Sequence, residues 1–214
     1  GALIELRCET DFVAKNDEFI KTANEIAKVV AFNDAVDTAD LLQKANTNGE
    51  TIDLMVRNLI AKIGEKIEVS RFKKIETDNY VVAYIHAGNR LGVLLEMNAE
   101  QDIWSNAIAK ELAYDIAMQI AAMAPIAISS ENLSAEDVKN VKDYIEEELI
   151  KENKPEEIKV KIRDGRIQKR FSEICLNFQP FIKNDSLTIE KLLVEKGKEL
   201  NTNIKIVNFI RYQI

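Results

Sequence analysis

Side chains that commonly make or break bonds are few in this 214-residue chain: one histidine, His86, and two cysteines, Cys8 and Cys175, against 36 acidic residues. A nucleophile–base relay would have to use His86 alone, and no Gly-x-Ser-x-Gly elbow accompanies it. One histidine cannot build a histidine-based metal cluster, and the cysteines lie too far apart in sequence for a CxxC site. Both sit in apolar, strand-like stretches and read as small core residues. No GxxxxGK[ST] loop and no GxGxxG turn offers a phosphate cradle. The carboxylates are scattered through charged helical stretches, as solvated faces are. Catalysis, a resident metal and a cofactor are therefore not expected. A hydrolase built on His86 is the weakest reading, and a function exercised by binding is the strongest.

The segment suited to binding is Thr10-Asp11-Phe12-Val13. It follows a short alternating strand and precedes an amphipathic helix, and Phe12 stands among Asp11, Lys15, Asn16, Asp17 and Glu18. A large apolar ring in so polar an approach either folds back into the core or projects into a partner.

Periodicity supplies the elements that would position it. In residues 1–8, Ala2, Ile4, Leu6 and Cys8 point one way and Glu5 and Arg7 the other, which predicts a strand. Residues 17–32 carry a helical stripe of Phe19, Ile20, Ala23, Ile26, Ala27 and Val30, with Asn16 as its N-cap. A second helix over 51–63 ends at Gly64. Strands are expected at 66–76, 79–87 and 90–98, the last two joined through Ala87-Gly88-Asn89. An alanine-rich helix over 102–123 stops before Pro125. Residues 134–173 differ in kind. Ser134 and Asp137 resemble a capping box, the stripe of Val138, Val141, Ile145 and Leu149 is thin, charge is dense, and Asn153-Lys154-Pro155 turns the chain back. This is a helical hairpin, either a solvated surface pair or an arm for self-association. A helix over 188–197 and a strand over 204–214 close the chain.

Composition is that of a well-cored domain, 46% hydrophobic and 30% charged. A net charge of −7 argues against direct contact with nucleic acid or anionic lipid. No leader and no apolar run long enough to span a membrane is present, so a cytoplasmic protein without membrane association is expected.

An internal repeat shapes the fold expectation. With residue 1 set against residue 92, Gly1, Leu3, Glu5, Glu9 and Asp11 meet Gly92, Leu94, Glu96, Glu100 and Asp102. Both copies run strand, polar turn, helix. The expected class is α+β: two related subdomains, each a small antiparallel sheet with helices packed on it, and a protruding helical hairpin inserted in the second. The boundaries fall at 1–75 for the first subdomain, 76–133 with 174–214 for the second, and 134–173 for the hairpin. The repeat places Asp102-Ile103-Trp104 where the first copy has Asp11-Phe12. A specialised wedge in the first copy requires Phe12 exposed and Ile103 buried.

Six segments, in order along the chain, carry a family resemblance. They are Leu6-Arg7-Cys8-Glu9-Thr10-Asp11-Phe12-Val13-Ala14-Lys15-Asn16, Ala61-Lys62-Ile63-Gly64-Glu65, and His86-Ala87-Gly88-Asn89-Arg90-Leu91-Gly92-Val93-Leu94. The others are Ala117-Met118-Gln119-Ile120-Ala121-Ala122-Met123 with Pro125, Gln179-Pro180-Phe181, and Phe209-Ile210-Arg211-Tyr212. Together they resemble the bacterial elongation factor Ts family, and the resemblance implies a nucleotide-exchange factor, not an enzyme, for the GTPase elongation factor Tu. It implies that Asp11 and Phe12, within Thr10–Val13, enter that GTPase near its magnesium and phosphate site, and that Ile63, Gly64, His86 and Gly88 supply further contacts. Each of these four also has a bland reading: a helix end, a helix end, a strand residue beside a turn, and the turn itself. The hairpin over 134–173 corresponds to a homodimerisation arm of some members.

Two departures stand out. Family members usually begin with a three-helix, ubiquitin-associated-like domain, whereas Gly1-Ala2-Leu3 starts at the first core strand; a chain without that domain should bind more weakly. Ala87 and Asn89 also occupy a turn that is usually richer in glycine.

Overall fold

The computed structural model describes residues 1–152 and 155–214. The turn expected at Asn153-Lys154-Pro155 falls largely on residues 153–154, outside them. The chain is α+β, with small antiparallel sheets packed with helices. It divides into two compact units, Gly1–Asn98 with Val207–Ile214, and Ala99–Ile206. This division follows compactness, whereas the boundary at 75/76 follows the sequence repeat.

In the first unit, strand β1 (Ala2–Arg7) pairs antiparallel with β2 (Glu68–Lys74), and the register shifts between Glu5 and Leu6. Helices α2 (Asp17–Phe32) and α4 (Ile52–Ile63) cover one face. Their apolar stripes close a core containing Leu6, Phe19, Ile26, Val30, Ile52, Leu59 and Val69. Asn16 caps α2 as expected, its Oδ1 accepting from the Glu18 and Phe19 amides. Gly64 ends α4 at φ 81°, a left-handed conformation that glycine adopts without a Cβ penalty.

Both faces of β1 carry buried residues. Leu3 packs with Ile75 and Leu94, and Glu5 is 1% exposed. Period-2 alternation sorts side chains to two faces, but it does not say that one of them meets water.

Strands β3 (Tyr80–Ile85) and β4 (Leu91–Ala99) form the expected hairpin, and β7 (Ile204–Gln213) lies on the other side of β4. The hairpin turn closes through His86 and Leu91, with the Asn89 amide on the His86 carbonyl. Gly88 and Asn89 both take positive φ, 90° and 58°. Asparagine tolerates that region better than most residues that carry a Cβ.

The second unit centres on α5 (Ala107–Met123), five residues shorter at its start than the helix expected from 102, because Asn106 caps it through the Ile108 amide. Ile103 is buried in the preceding turn. Gln119 is fully buried and ties α5 to a distant loop: its Nε2 donates to Gln179 Oε1 (3.2 Å) and the Pro180 carbonyl (3.1 Å), and its Oε1 accepts from the Ile182 amide (2.8 Å). Gln179 in turn donates to the Glu173 carbonyl at 2.7 Å.

Helices α6 (Ala135–Ile150) and α7 (Glu156–Ile174) form the charged hairpin. Ser134 and Asp137 make the capping box, Ile145 and Leu149 are buried, and Arg163–Glu146 and Arg166–Glu152 pairs link the two helices. A two-stranded ribbon, β5 (Pro180–Phe181) with β6 (Asn184–Thr188), precedes α8 (Ile189–Glu199). That ribbon, α3 (Thr38–Gln43) and the four-residue α1 (Asp11–Ala14) are elements that the sequence pattern does not announce.

Candidate functional site

The Thr10–Val13 segment is a capped helical turn. Thr10 is its N-cap, its Oγ1 accepting from the Val13 amide at 3.3 Å. Val13 turns inward and joins the core of the first unit. Phe12 turns outward and is 88% exposed, while Ile103, its counterpart in the repeat, is 8% exposed. This is the arrangement that a wedge confined to the first copy requires. The reading of Phe12 as a core-facing aromatic fails.

Ties from remote segments hold this turn. The Glu65 carboxylate accepts from the Thr10 amide (3.1 Å) and from Thr10 Oγ1 (2.7 Å). Glu65 directly follows Gly64, so the end of α4 is brought to the Thr10 turn. The Cys8 thiol donates to the Thr10 carbonyl at 3.3 Å. Burial, and then the charge of Glu65, push that thiol up from its ordinary range, so it stays protonated as a donor. Arg90, in the β3–β4 connection two residues after Gly88, pairs with the Asp11 carboxylate. Ile63–Gly64 and the Gly88 turn thus converge on Thr10–Asp11 across sequence separations of 55 and 79 residues. Neither Glu65 nor Arg90 stood out in the sequence as a site residue. Their signals were a carboxylate just after a C-cap glycine and a cation inside a hairpin turn.

The remaining expected residues are placed as follows. Ile63 is half-buried against the core, Gly64 and Gly88 are exposed, and His86 is exposed at the end of β3. His86 Nδ1 lies 2.8 Å from the Tyr84 hydroxyl. That contact orients the ring. Cys175 is buried, as expected of a core residue, whereas Cys8 is only partly so.

A cleft of about 670 Å³ opens beside the turn, its lining mostly apolar and including Ala2, Ile4, Ala14, Phe19, Ile20 and Ala23 together with the polar Asp11, Asn24, Asn89 and Arg90. Deeper in the unit, Glu5 bridges Arg7 (2.5 Å) and Arg71 (2.6 Å), and Arg71 stacks 4.0 Å from the Tyr212 ring centroid. Burial raises the Glu5 carboxyl, but the two guanidiniums outweigh it and hold the group below its ordinary range. Among the described residues no group of histidine, cysteine and carboxylate side chains could hold a metal ion, and no helix is long and apolar enough to cross a membrane.

Comparison with known proteins gives a consistent result. The family model described as Elongation factor TS matches residues 9–214. The elongation factor Ts of Clostridioides difficile (strain 630) is 36% identical over 214 residues, covering all of this chain and 70% of that protein. That of Clostridium botulinum (strain Eklund 17B) is 39% identical with the same coverage. That of Burkholderia thailandensis is 41% identical over 193 residues, 90% of this chain and 62% of the relative.

Proposed function

The chain belongs to the elongation factor Ts family, whose members are translation elongation factors, and from that premise we propose that it is the cytoplasmic guanine-nucleotide exchange factor of elongation factor Tu. It acts by binding, without chemistry of its own. The observation that carries the reading is Phe12, 88% exposed at the tip of a turn whose neighbours on both sides are fixed. An exposed phenylalanine on a rigid turn has no role in the fold of the unbound chain and suits insertion into another protein.

In the GTPase, magnesium bridges the nucleotide phosphates to the protein. A ring driven in beside that site displaces the elements holding the metal, and GDP loses charge-assisted contacts. Linkage makes the effect reciprocal: bound GDP weakens the factor by the same ratio as the factor weakens GDP. Phe12 supplies the apolar anchor, and Asp11 and Thr10 set its direction. Val13 contributes through the core that holds the turn. Ile63, Gly64, His86 and Gly88 are further contacts at the same end of the first unit.

The hairpin α6–α7, residues 134–173 in the sequence division, is proposed as a homodimerisation arm. Tyr144, Ile150, Ile158 and Val160 remain exposed on it, an apolar set that a second copy could cover. The second subdomain of the repeat, 76–133 with 174–214, is proposed to carry that arm while the first carries the wedge. Direct nucleic-acid or membrane contact has no part in this reading.

Release of a fluorescent GDP from elongation factor Tu, followed by stopped flow with and without this chain, tests the exchange reading. A release rate independent of the chain's concentration sinks it. Sedimentation of the chain with and without residues 134–173 tests the arm; a monomer in both cases removes it.

A further inference from the structure

A four-residue helix cannot hold its own shape, because nucleation costs more than one turn of hydrogen bonds returns. Tertiary ties must therefore impose the conformation of Asp11–Ala14. Phe12 also has somewhere else to go. The lining of the neighbouring cleft is mostly apolar, with Ala14, Phe19, Ile20 and Ala23 among its residues, and offers a ring a place out of water. Yet Phe12 is 88% exposed and does not line that cleft. Something keeps it out.

The ties have the right geometry to do so. Glu65 grips the Thr10 amide and hydroxyl together, which fixes the backbone entering the turn. Arg90 holds the Asp11 carboxylate, and Asp11 and Arg90 both belong to the wall of the cleft. Swinging Phe12 inward would rotate Asp11 away from the guanidinium and Thr10 away from Glu65. We propose that Glu65 and Arg90 are positioning residues that keep Phe12 out of the adjoining cleft and presented to the GTPase. The inference rests on the exchange reading for its consequence, but not for its structural half.

The structural half is testable without any partner. Tryptophan is placed at position 12 (Phe12→Trp) in a Trp104→Phe background, and its quenching by acrylamide is measured. With Arg90 and Glu65 intact, the indole should quench nearly as freely as tryptophan in water. Arg90→Met or Glu65→Ala should lower the quenching constant and shift emission to the blue. Arg90→Lys, which keeps the charge, should restore most of the exposure. Equal quenching in all variants overturns the proposal, whatever the protein's function.

The functional half uses GDP release from elongation factor Tu. An exposed ion pair is worth a factor of about 1.4–5, so Arg90→Met should lower the acceleration roughly two- to fivefold. In a Phe12→Ala background the same substitution should have no further effect, because Arg90 acts through Phe12. Multiplicative effects in the double variant would instead make Arg90 a direct contact and overturn its positioning role. If the unsubstituted chain does not accelerate release at all, the exchange reading fails, while the quenching result stands or falls separately.

Discussion

Gln119→Met replaces a fully buried amide by a thioether of similar volume, so what it measures is the hydrogen bonding rather than a cavity. The amide makes three bonds, two donated to Gln179 Oε1 and the Pro180 carbonyl and one accepted from the Ile182 amide. Removing it leaves those three groups without that partner. Gln179 is buried, and orphaning its Oε1 costs about 2 kcal/mol, whereas Pro180 and Ile182 are exposed, and orphaning their carbonyl and amide costs about 1 kcal/mol each. Part of this is offset because methionine transfers favourably to the interior, by roughly 1 kcal/mol. The expected net loss is about 3 kcal/mol. With an m-value of about 1.5–2 kcal/mol/M for a unit of this size, the urea midpoint should fall by about 1.5–2 M. Trp104 lies in the same unit, so its fluorescence reports the transition. Gln179→Met should cost a similar amount, and the double variant clearly less than the sum, since the two side chains share one network. A loss below about 0.5 kcal/mol for Gln119→Met, or strict additivity, would refute the claim that this pair staples α5 to the 179–182 loop.

The buried Glu5 makes stability depend on acid. Its carboxyl is held below the ordinary glutamate value of about 4.3, so the stability that it contributes is full above that value and drains away as pH falls through its folded pKa. Urea midpoints at pH 5 and pH 3 should differ less in Glu5→Gln than in the unsubstituted chain. At pH 7 that variant should cost about 2 kcal/mol, below the roughly 3–5 of a fully buried pair, because Arg7 and Arg71 are about half exposed (51% and 45%). Gly64→Ala forces a Cβ onto a residue at φ 81° with nothing within 4 Å of it, so the penalty is purely backbone, about 1–2 kcal/mol. A GDP-release deficit beyond that loss marks Gly64 as a contact; none leaves it a helix end. His86→Ala should keep folding intact, since His86 is exposed and its ring bonds the Tyr84 hydroxyl, and should slow GDP release by at most about fivefold, since most interface residues cost less than about 1 kcal/mol when truncated; loss of a hydrolytic activity in that variant would revive the enzyme reading.

What could be read in the sequence was local. Apolar spacing over 17–32 and 51–63 is long and regular enough to declare helices; Asn16 and Gly64 mark ends of these two, and Ser134 the start of α6, by side-chain or backbone chemistry that acts within a few residues. The four-residue α1 has no period to detect. The 38–43 helix offers only Leu41 and Leu42 to the core side of a polar stretch, although Asp37 caps it through the Asp40 amide. The early start given to α5 ignored Asn106, whose cap bond to Ile108 was a legible signal. The exposure of Phe12 was posed by its polar surroundings but decided by Val13, Glu65 and Arg90, two of them far away in sequence. The burial of Glu5 is illegible for the same reason: strand alternation is a local property, and its partner Arg71 is 66 residues away.

The central claim is that Phe12 does its work outside this chain. Stopped-flow release of fluorescent GDP from elongation factor Tu, at saturating chain concentration, should compare the unsubstituted protein with Phe12→Ala, alongside their urea midpoints. An interface anchor is worth about 2 kcal/mol or more, so the account predicts a release rate lower by roughly 30-fold, with a stability change within about 0.5 kcal/mol because the ring is exposed. A release rate within twofold of the unsubstituted chain, or a loss of activity that merely tracks unfolding, would contradict it.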